Sequence, residues 1–227
     1  MNRIAIIIAR GGSKRIHRKN IKPFNGIPII FYPIKVALDS GLFSDVMVST
    51  DDDEIKQISL DLGAKVPFKR SDKNSNDFAT SFDVVEEVLN NYREIGKSFD
   101  EACLIYPTAV FINVSLLLKA FKLLSEKKFD SVFPVLKYSH PIQRAILLDE
   151  AGAIKYIRQE CKLSRTQDLK AHYHDSGQFY VFKTRQILIK RQLITNKSGA
   201  FQISEMQAHD IDNLVDWEIA EFKIKFR

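Results

Sequence analysis

Short runs of apolar residues alternate along the chain with segments whose apolar positions recur every three or four residues. Residues 3–9 (RIAIIIA) are apolar almost without interruption, which predicts a strand buried on both faces, as in a parallel sheet covered by helices. A helix is expected over about 29–40, stopped by Gly41, and a strand over 45–49. Residues 51–62 predict a helix with acids in its first turn and Gly63 past its end. Residues 65–68 look like a short third strand. Over 81–92, Val84, Val85, Val88 and Leu89 fall at helical spacing. A strand over 102–106, a helix over 114–125 and a strand over 131–135 follow. The rhythm breaks between about 140 and 174, where strand-like pieces at 144–148 and 154–157 flank the turn Asp149-Glu150-Ala151-Gly152. That segment reads as an excursion from the main sheet. Strands near 178–182 and 201–203 and a helix over about 214–225 complete the pattern. Strands alternating with helices predict a wound α/β fold, here in one domain over residues 1–227.

Composition narrows the class. A chain of 227 residues with 45% apolar and 27% charged residues can bury a core without disulfide or metal staples. No apolar run reaches the length of a membrane span, and a charged loop directly follows the first strand where a signal peptide would be cleaved. A cytoplasmic protein with no membrane partner is expected. Cys103 and Cys161 lie far apart without CxxC spacing, so both are expected to be reduced, with Cys103 in a strand core. The net charge of +6 points to anionic partners. Arg10, Lys14, Arg15, Arg18, Lys19 and Lys22 concentrate it near the start, and RNP and zinc-finger signatures are absent. A compact polyanion fits this density better than a nucleic-acid duplex.

The segment Ala9-Arg10-Gly11-Gly12-Ser13-Lys14-Arg15 directly follows the first strand, at the sheet edge where α/β proteins bind ligands. Gly11 and Gly12 allow backbone N–H groups to approach phosphate oxygens, Ser13 adds a hydroxyl, and Arg10, Lys14 and Lys19 supply charge. An ion pair at 4 Å is worth roughly 1–4 kcal/mol in wet surroundings, so several are needed to hold a triphosphate against hydration. The loop is neither GxxxxGK[ST] nor GxGxxG, which disfavours a P-loop NTPase or a dinucleotide enzyme. The plainer reading is a solvated basic turn. Near the other end stands Asp210-Ile211-Asp212. In extended backbone, positions i and i+2 point the same way, so both carboxylates can reach one small cation such as Mg²⁺. Equally, Asp212 or Asn213 can cap the last helix. The cluster Asp51-Asp52-Asp53-Glu54 reads as helix capping and dipole compensation rather than a metal site.

Arg10 to Lys14, with Lys19-Asn20 after it, resembles the opening signature of the CMP-sialic acid synthetase family, within the wider nucleotide-sugar pyrophosphorylases. That resemblance implies a Rossmann-like, doubly wound mixed sheet of the nucleotide-diphospho-sugar transferase type. It implies that Arg10, Gly11, Gly12, Ser13, Lys14 and Lys19 cradle the triphosphate of CTP, with Asn20 beside the nucleotide. Lys69-Arg70, followed by Asp77 and Thr80, is similar to the family's loop over the base, which assigns Arg70 and Thr80 to the nucleotide. The family's metal motif matches Asp210 and Asp212. Most sialic acid synthetases carry glutamine where Tyr106 stands, which points to another branch. Residues 141–145 (PIQRA), 164–169 (SRTQDL) and 173–180 (YHDSGQFY) resemble the pseudaminic acid cytidylyltransferases. His17, Val110 and Val181 depart from the usual pattern. By this resemblance Tyr106, Thr108, Gln143, Arg144, Arg165, Gln178, Phe179 and Tyr180 serve the acidic sugar, and the excursion at about 140–175 packs on a second subunit of a homodimer. Arg10, Lys14, Lys19 and Asp212 would carry catalysis. The sister sugars legionaminate, sialate and 3-deoxy-octulosonate remain open, as do a CTP-binding regulator and a basic RNA-binding protein.

Overall fold

The opening apolar run forms β1 (Arg3–Ile8) in a computed structural model, which describes residues 1–226. After it come β2 (Pro23–Phe24), β3 (Ile27–Pro28), helix α1 (Phe31–Asp39), β4 (Asp45–Ser49) and α2 (Asp53–Asp61). Next are α3 (Ser81–Glu94), β5 (Glu101–Ile105), α4 (Val114–Glu126) and β6 (Ser131–Lys137). The excursion carries the hairpin β7 (Ile146–Leu148) and β8 (Ile154–Tyr156). The chain returns through β9 (Tyr173–Asp175), β10 (Phe179–Lys183), α5 (Thr184–Lys190), β11 (Ser198–Gln202) and α6 (Leu214–Ile224).

The main sheet runs β11-β6-β10-β5-β1-β4, with β9 also paired to β6. β1 is parallel to β4 and β5, whereas β10 lies antiparallel between β5 and β6. This is the mixed, doubly wound α/β sheet expected. Alternation along β1 explains why its sequence is apolar throughout. Ala5 and Ile7 face Ile34, Ile55 and Leu117 from α1, α2 and α4, while Ile4 and Ile6 face Val85, Val88 and Leu89 of α3 and Ile187 of α5.

Three local features differ from the sequence reading. Residues 65–68 make only the single bridge of Lys65 with Met47, and Lys69 just beyond bridges Thr50, because Pro67 supplies no N–H to a ladder. Helix α5 was not expected, since its seven residues carry little periodicity. The hairpin of β2 and β3 was also not expected; each strand has two residues, and Asn25 and Gly26 turn it with φ of 47° and 86°.

A bulge shapes the site end of the sheet. β9 and β10 follow one another along β6, with Val135 opposite Asp175 and Val132 opposite Val181. Ser176, Gly177 and Gln178 connect them, with the Ser176 N–H donating to the Pro134 carbonyl at 3.2 Å and the Gln178 carbonyl accepting from the Tyr106 N–H at 2.9 Å, and Gly177 sits at φ 67°. Bulges of this kind break a ladder and re-aim the neighbouring side chains.

A third apolar cluster fastens distant parts of the chain together. Ile16 of the first loop, Phe24, Phe111, Ile211 and Trp217 pack on one another beyond the sheet. Ile211 is fully buried there, worth about 1.5–3 kcal/mol by transfer. Asn213, rather than Asp212, caps α6 by accepting from the Asp216 N–H at 3.0 Å.

Candidate active site

The burial of Ile16 and Ile211 in one cluster brings the basic loop and the Asp-Ile-Asp segment together. Lys19 Nζ donates to the Ile211 carbonyl at 2.7 Å, between the two acids, and Arg15 pairs with Asp212 at 2.8 Å. Burial lowers the pKa of Lys19, with Asp212 and Asp210 opposing that shift. Desolvation raises the Asp210 carboxyl above the usual carboxylate range, and the neighbouring charge of Asp212 adds to it.

A cleft of about 470 Å³ opens beside the basic loop; Asp210 and Asp212, behind Lys19, are not among the residues that line it. Arg10, Ser13, Lys14, Arg15 and Lys19 line one side, Arg70 and residues 74–81 another, and Tyr106, Pro107 and Thr108 the far end. Asn20 is buried and donates from Nδ2 to the Arg10 carbonyl at 2.8 Å, which fixes the loop's turn. Gly11 is required for a different reason than the sequence suggests. A Cβ there would lie 2.7 Å from Asp52 Oδ2, and the Gly11 N–H already donates to Asp51 Oδ1 at 3.0 Å. Gly12 meets no such neighbour. Asp52 caps α2 by accepting from Ile55 N–H at 2.9 Å and also pairs with Arg18, so the acidic cluster is spent on structure.

Arg70 is only 5% exposed, yet its head lines the cleft. Its Nε donates to Ser49 Oγ at 3.0 Å and its Nη2 to the Ser49 carbonyl. Burial lowers its pKa to about 10, with Asp51 and Glu87 opposing. Thr80 caps α3 in a reciprocal box with Asp83, which sets that wall of the cleft. Tyr106 Oη lies 2.9 Å from Ser81 Oγ, and its ring meets Tyr180 edge-on at 6.3 Å. The Tyr180 hydroxyl donates to Asp175, whose carboxyl is pushed up by burial and by the nearby Asp210.

The remaining expected sugar residues lie elsewhere. Phe179 is fully buried in the core below the sheet, a correction that follows from strand alternation: positions 179 and 180 face opposite sides, and only Tyr180 points toward Tyr106. Gln178 is 2% exposed and donates from Nε2 to the Gln207 carbonyl at 3.0 Å, tying the bulge to the segment before Asp210. Gln143, Arg144 and Arg165 belong to the excursion and do not line the cleft of their own chain. Gln143 donates to the Lys170 carbonyl at 2.8 Å, and Arg165 pairs with Asp168 at 2.7 Å. Arg15, Ser49, Ser81 and Asp77 were not assigned from the sequence; each matters through a contact between segments far apart in the chain.

A mixed sheet of this order, with a basic loop after β1 facing a pair of acids, defines an α/β enzyme of nucleotide transfer. The chain belongs to the cytidylyltransferase family, whose model matches residues 4–222. It is 36% identical over 225 residues to a pseudaminic acid cytidylyltransferase of Campylobacter jejuni, covering 99% of this chain and 97% of that protein. It is 33% identical to N-acylneuraminate cytidylyltransferase A of Danio rerio, spanning 97% of this chain and 50% of that longer protein. In fold it is similar to a CMP:2-keto-3-deoxy-manno-octonic acid synthetase solved with CTP, at a TM-score of 0.72 and 16% identity over 100% of this chain and 99% of that one. Among the described residues, no helix is long and apolar enough to cross a membrane.

Proposed function

We propose that this protein transfers the cytidylyl group of CTP to pseudaminic acid, giving the CMP-sugar and pyrophosphate. The observation that carries this reading is the Lys19–Ile211 hydrogen bond, which ties the cation-bearing loop that lines the cleft to the segment carrying Asp210 and Asp212. The near full-length similarity to pseudaminic acid cytidylyltransferases supports the choice of sugar. The sugar's anomeric hydroxyl attacks the α-phosphorus in line. Arg10, Lys14 and Lys19 meet the charge that builds on the leaving pyrophosphate. Arg70, clamped by Ser49, presents N–H donors to the base, and Tyr106 and Thr108 line the end where the sugar sits.

Asp210 and Asp212 would hold Mg²⁺. The donor set fits: burial and the neighbouring charge of Asp212 raise the cost of ionising Asp210, which a cation relieves. Mg²⁺ is commonly held by one or two carboxylates together with substrate phosphates and water. When bound, the ion supplies charge neutralisation at the phosphates. Free Cys103 and Cys161 and the use of CTP support a cytoplasmic setting.

The excursion supports a two-fold dimer. Its hairpin exposes Ile146, Leu147, Leu148 and Ile154 together, with Leu148 70% exposed. In a dimer, Gln143, Arg144 and Arg165 would serve the partner's sugar site. An Arg165→Ala protein mixed with an Asp212→Asn protein should then regain about a quarter of normal turnover, since half the dimers carry one intact site. The reaction itself is tested by pyrophosphate release with CTP and a panel of nonulosonic acids. Turnover is expected with pseudaminic acid above the others; equal or greater turnover with sialic acid would reverse the choice of sugar.

A further inference from the structure

Asp77 occupies an unusual place for an acid. It lies in the cleft wall opposite the basic loop, and its carboxylate bridges two of the loop's cations: Oδ1 to Arg10 Nη1 at 2.7 Å, and Oδ2 to Lys14 Nζ. The carboxyl is held below the ordinary range by hydrogen bonds from Lys14 and Arg10, so it carries its charge. The loop that presents it is built for this. Asn76 Oδ1 accepts from the N–H groups of Phe78 and Ala79 at 2.8 and 3.0 Å, a tight turn beside Asp77 that leaves Phe78 92% exposed to solvent. The loop is fixed at both ends, by Ser71 on Glu87 and by the Thr80 cap of α3.

A structural role for this bridge accounts for little. All three side chains are substantially exposed, and exposed ion pairs contribute little to stability. Their position is informative instead. Arg10 and Lys14 line the same cleft as Arg70, where a polyphosphate is read to lie, and a carboxylate bridging them sits where phosphate oxygens would bind.

We propose that Asp77 is a built-in counter-anion of the phosphate cradle. It holds Arg10 and Lys14 while no polyphosphate is bound, yields to the more highly charged triphosphate of CTP, and returns to help release pyrophosphate after transfer. This rests on the nucleotide reading of the cleft. No bond is made or broken at Asp77; it competes for the same cations. It therefore weakens the binding of CTP and of pyrophosphate alike, and favours product release over tight retention.

Calorimetric titration of the full chain with inorganic tripolyphosphate, pyrophosphate, CTP and cytidine, without added metal, tests this. Asp77→Asn keeps the side chain's shape and removes its charge. It should bind tripolyphosphate and pyrophosphate about two- to tenfold more tightly, the scale of one or two exposed pairs, and leave cytidine unchanged. The gain should shrink when Lys14→Met is already present, because one of the competing pairs is then gone. Pyrophosphate should also become a stronger product inhibitor of Asp77→Asn. Unchanged or weaker tripolyphosphate binding overturns the proposal. Weaker binding of both CTP and cytidine overturns it in another way, by assigning Asp77 to the nucleoside. If the unaltered protein binds none of the polyphosphates, the nucleotide reading itself fails, and that outcome is distinct from the other two.

Discussion

Lys19→Met isolates the junction on which the site depends. The methionine keeps the apolar stem but removes the ammonium that donates to the Ile211 carbonyl at 2.7 Å. A hydrogen bond from a charged donor is worth about 1.5–3 kcal/mol, which corresponds to roughly ten- to hundredfold in an equilibrium or rate constant. Part of that loss falls on folding, because a carbonyl next to fully buried Ile211 loses its partner. The rest falls on the site, because Lys19 fixes the backbone between Asp210 and Asp212 and adds positive charge to the cleft. With the loss shared about evenly, pyrophosphate release should show kcat/KM for CTP reduced about three- to tenfold, with more magnesium needed for half-maximal turnover, and urea unfolding should show a loss of about 0.7–1.5 kcal/mol. Lys19→Arg, which retains a donor, should recover part of both. The reasoning is refuted if the variant loses CTP affinity while its magnesium requirement and its stability stay normal, since Lys19 would then touch phosphate alone.

Other expectations concern single contacts. Asp212→Asn should abolish magnesium-dependent turnover while far-ultraviolet circular dichroism stays native, because Asn213 and not Asp212 caps α6; near-normal turnover would remove the metal assignment. Tyr106→Gln deletes the hydroxyl beside Ser81 and the ring against Tyr180, so the sugar KM should shift several-fold more than the CTP KM; equal shifts would count against a sugar role. Asp45 is buried with Lys65 and Lys97 on its two oxygens; burial would raise its pKa, but the two ammonium groups outweigh it and hold the pKa low. A depressed carboxyl stabilises the fold above its ordinary pKa and loses that contribution as pH falls through the native value. Asp45→Asn should therefore be less stable than the unaltered protein at pH 7, with the gap closing below about pH 4, as thermal melts would show.

Much of the fold was legible in the chain because β1, β4, β5 and their helices obey local rules. Residues 3–8 announce a doubly covered strand, and 81–92 a helix whose buried stripe includes Val85 and Leu89. The excursion was legible for the opposite reason, since residues 140–174 keep no period that a central sheet could use. Local pattern could not find the hairpin of β2 and β3 or helix α5, which are too short to show a period.

The site divides in the same way. The residue types at 10–20 and 210–212 are a sequence property: glycine beside cations, and two acids on one side of an extended segment. That they meet was decided by tertiary packing, because Ile16 and Ile211 each need burial and find it in the same cluster nearly two hundred residues apart in the chain. The same packing assigned each charge its partner. Arg15 took Asp212, Lys19 took a carbonyl, and Asp77 reached across to Arg10 and Lys14. Strand alternation then separated Tyr180, which faces Tyr106, from Phe179, which faces the core. Composition sets which charges a chain carries. Only the fold sets the distances between them, and electrostatic attraction depends on those distances.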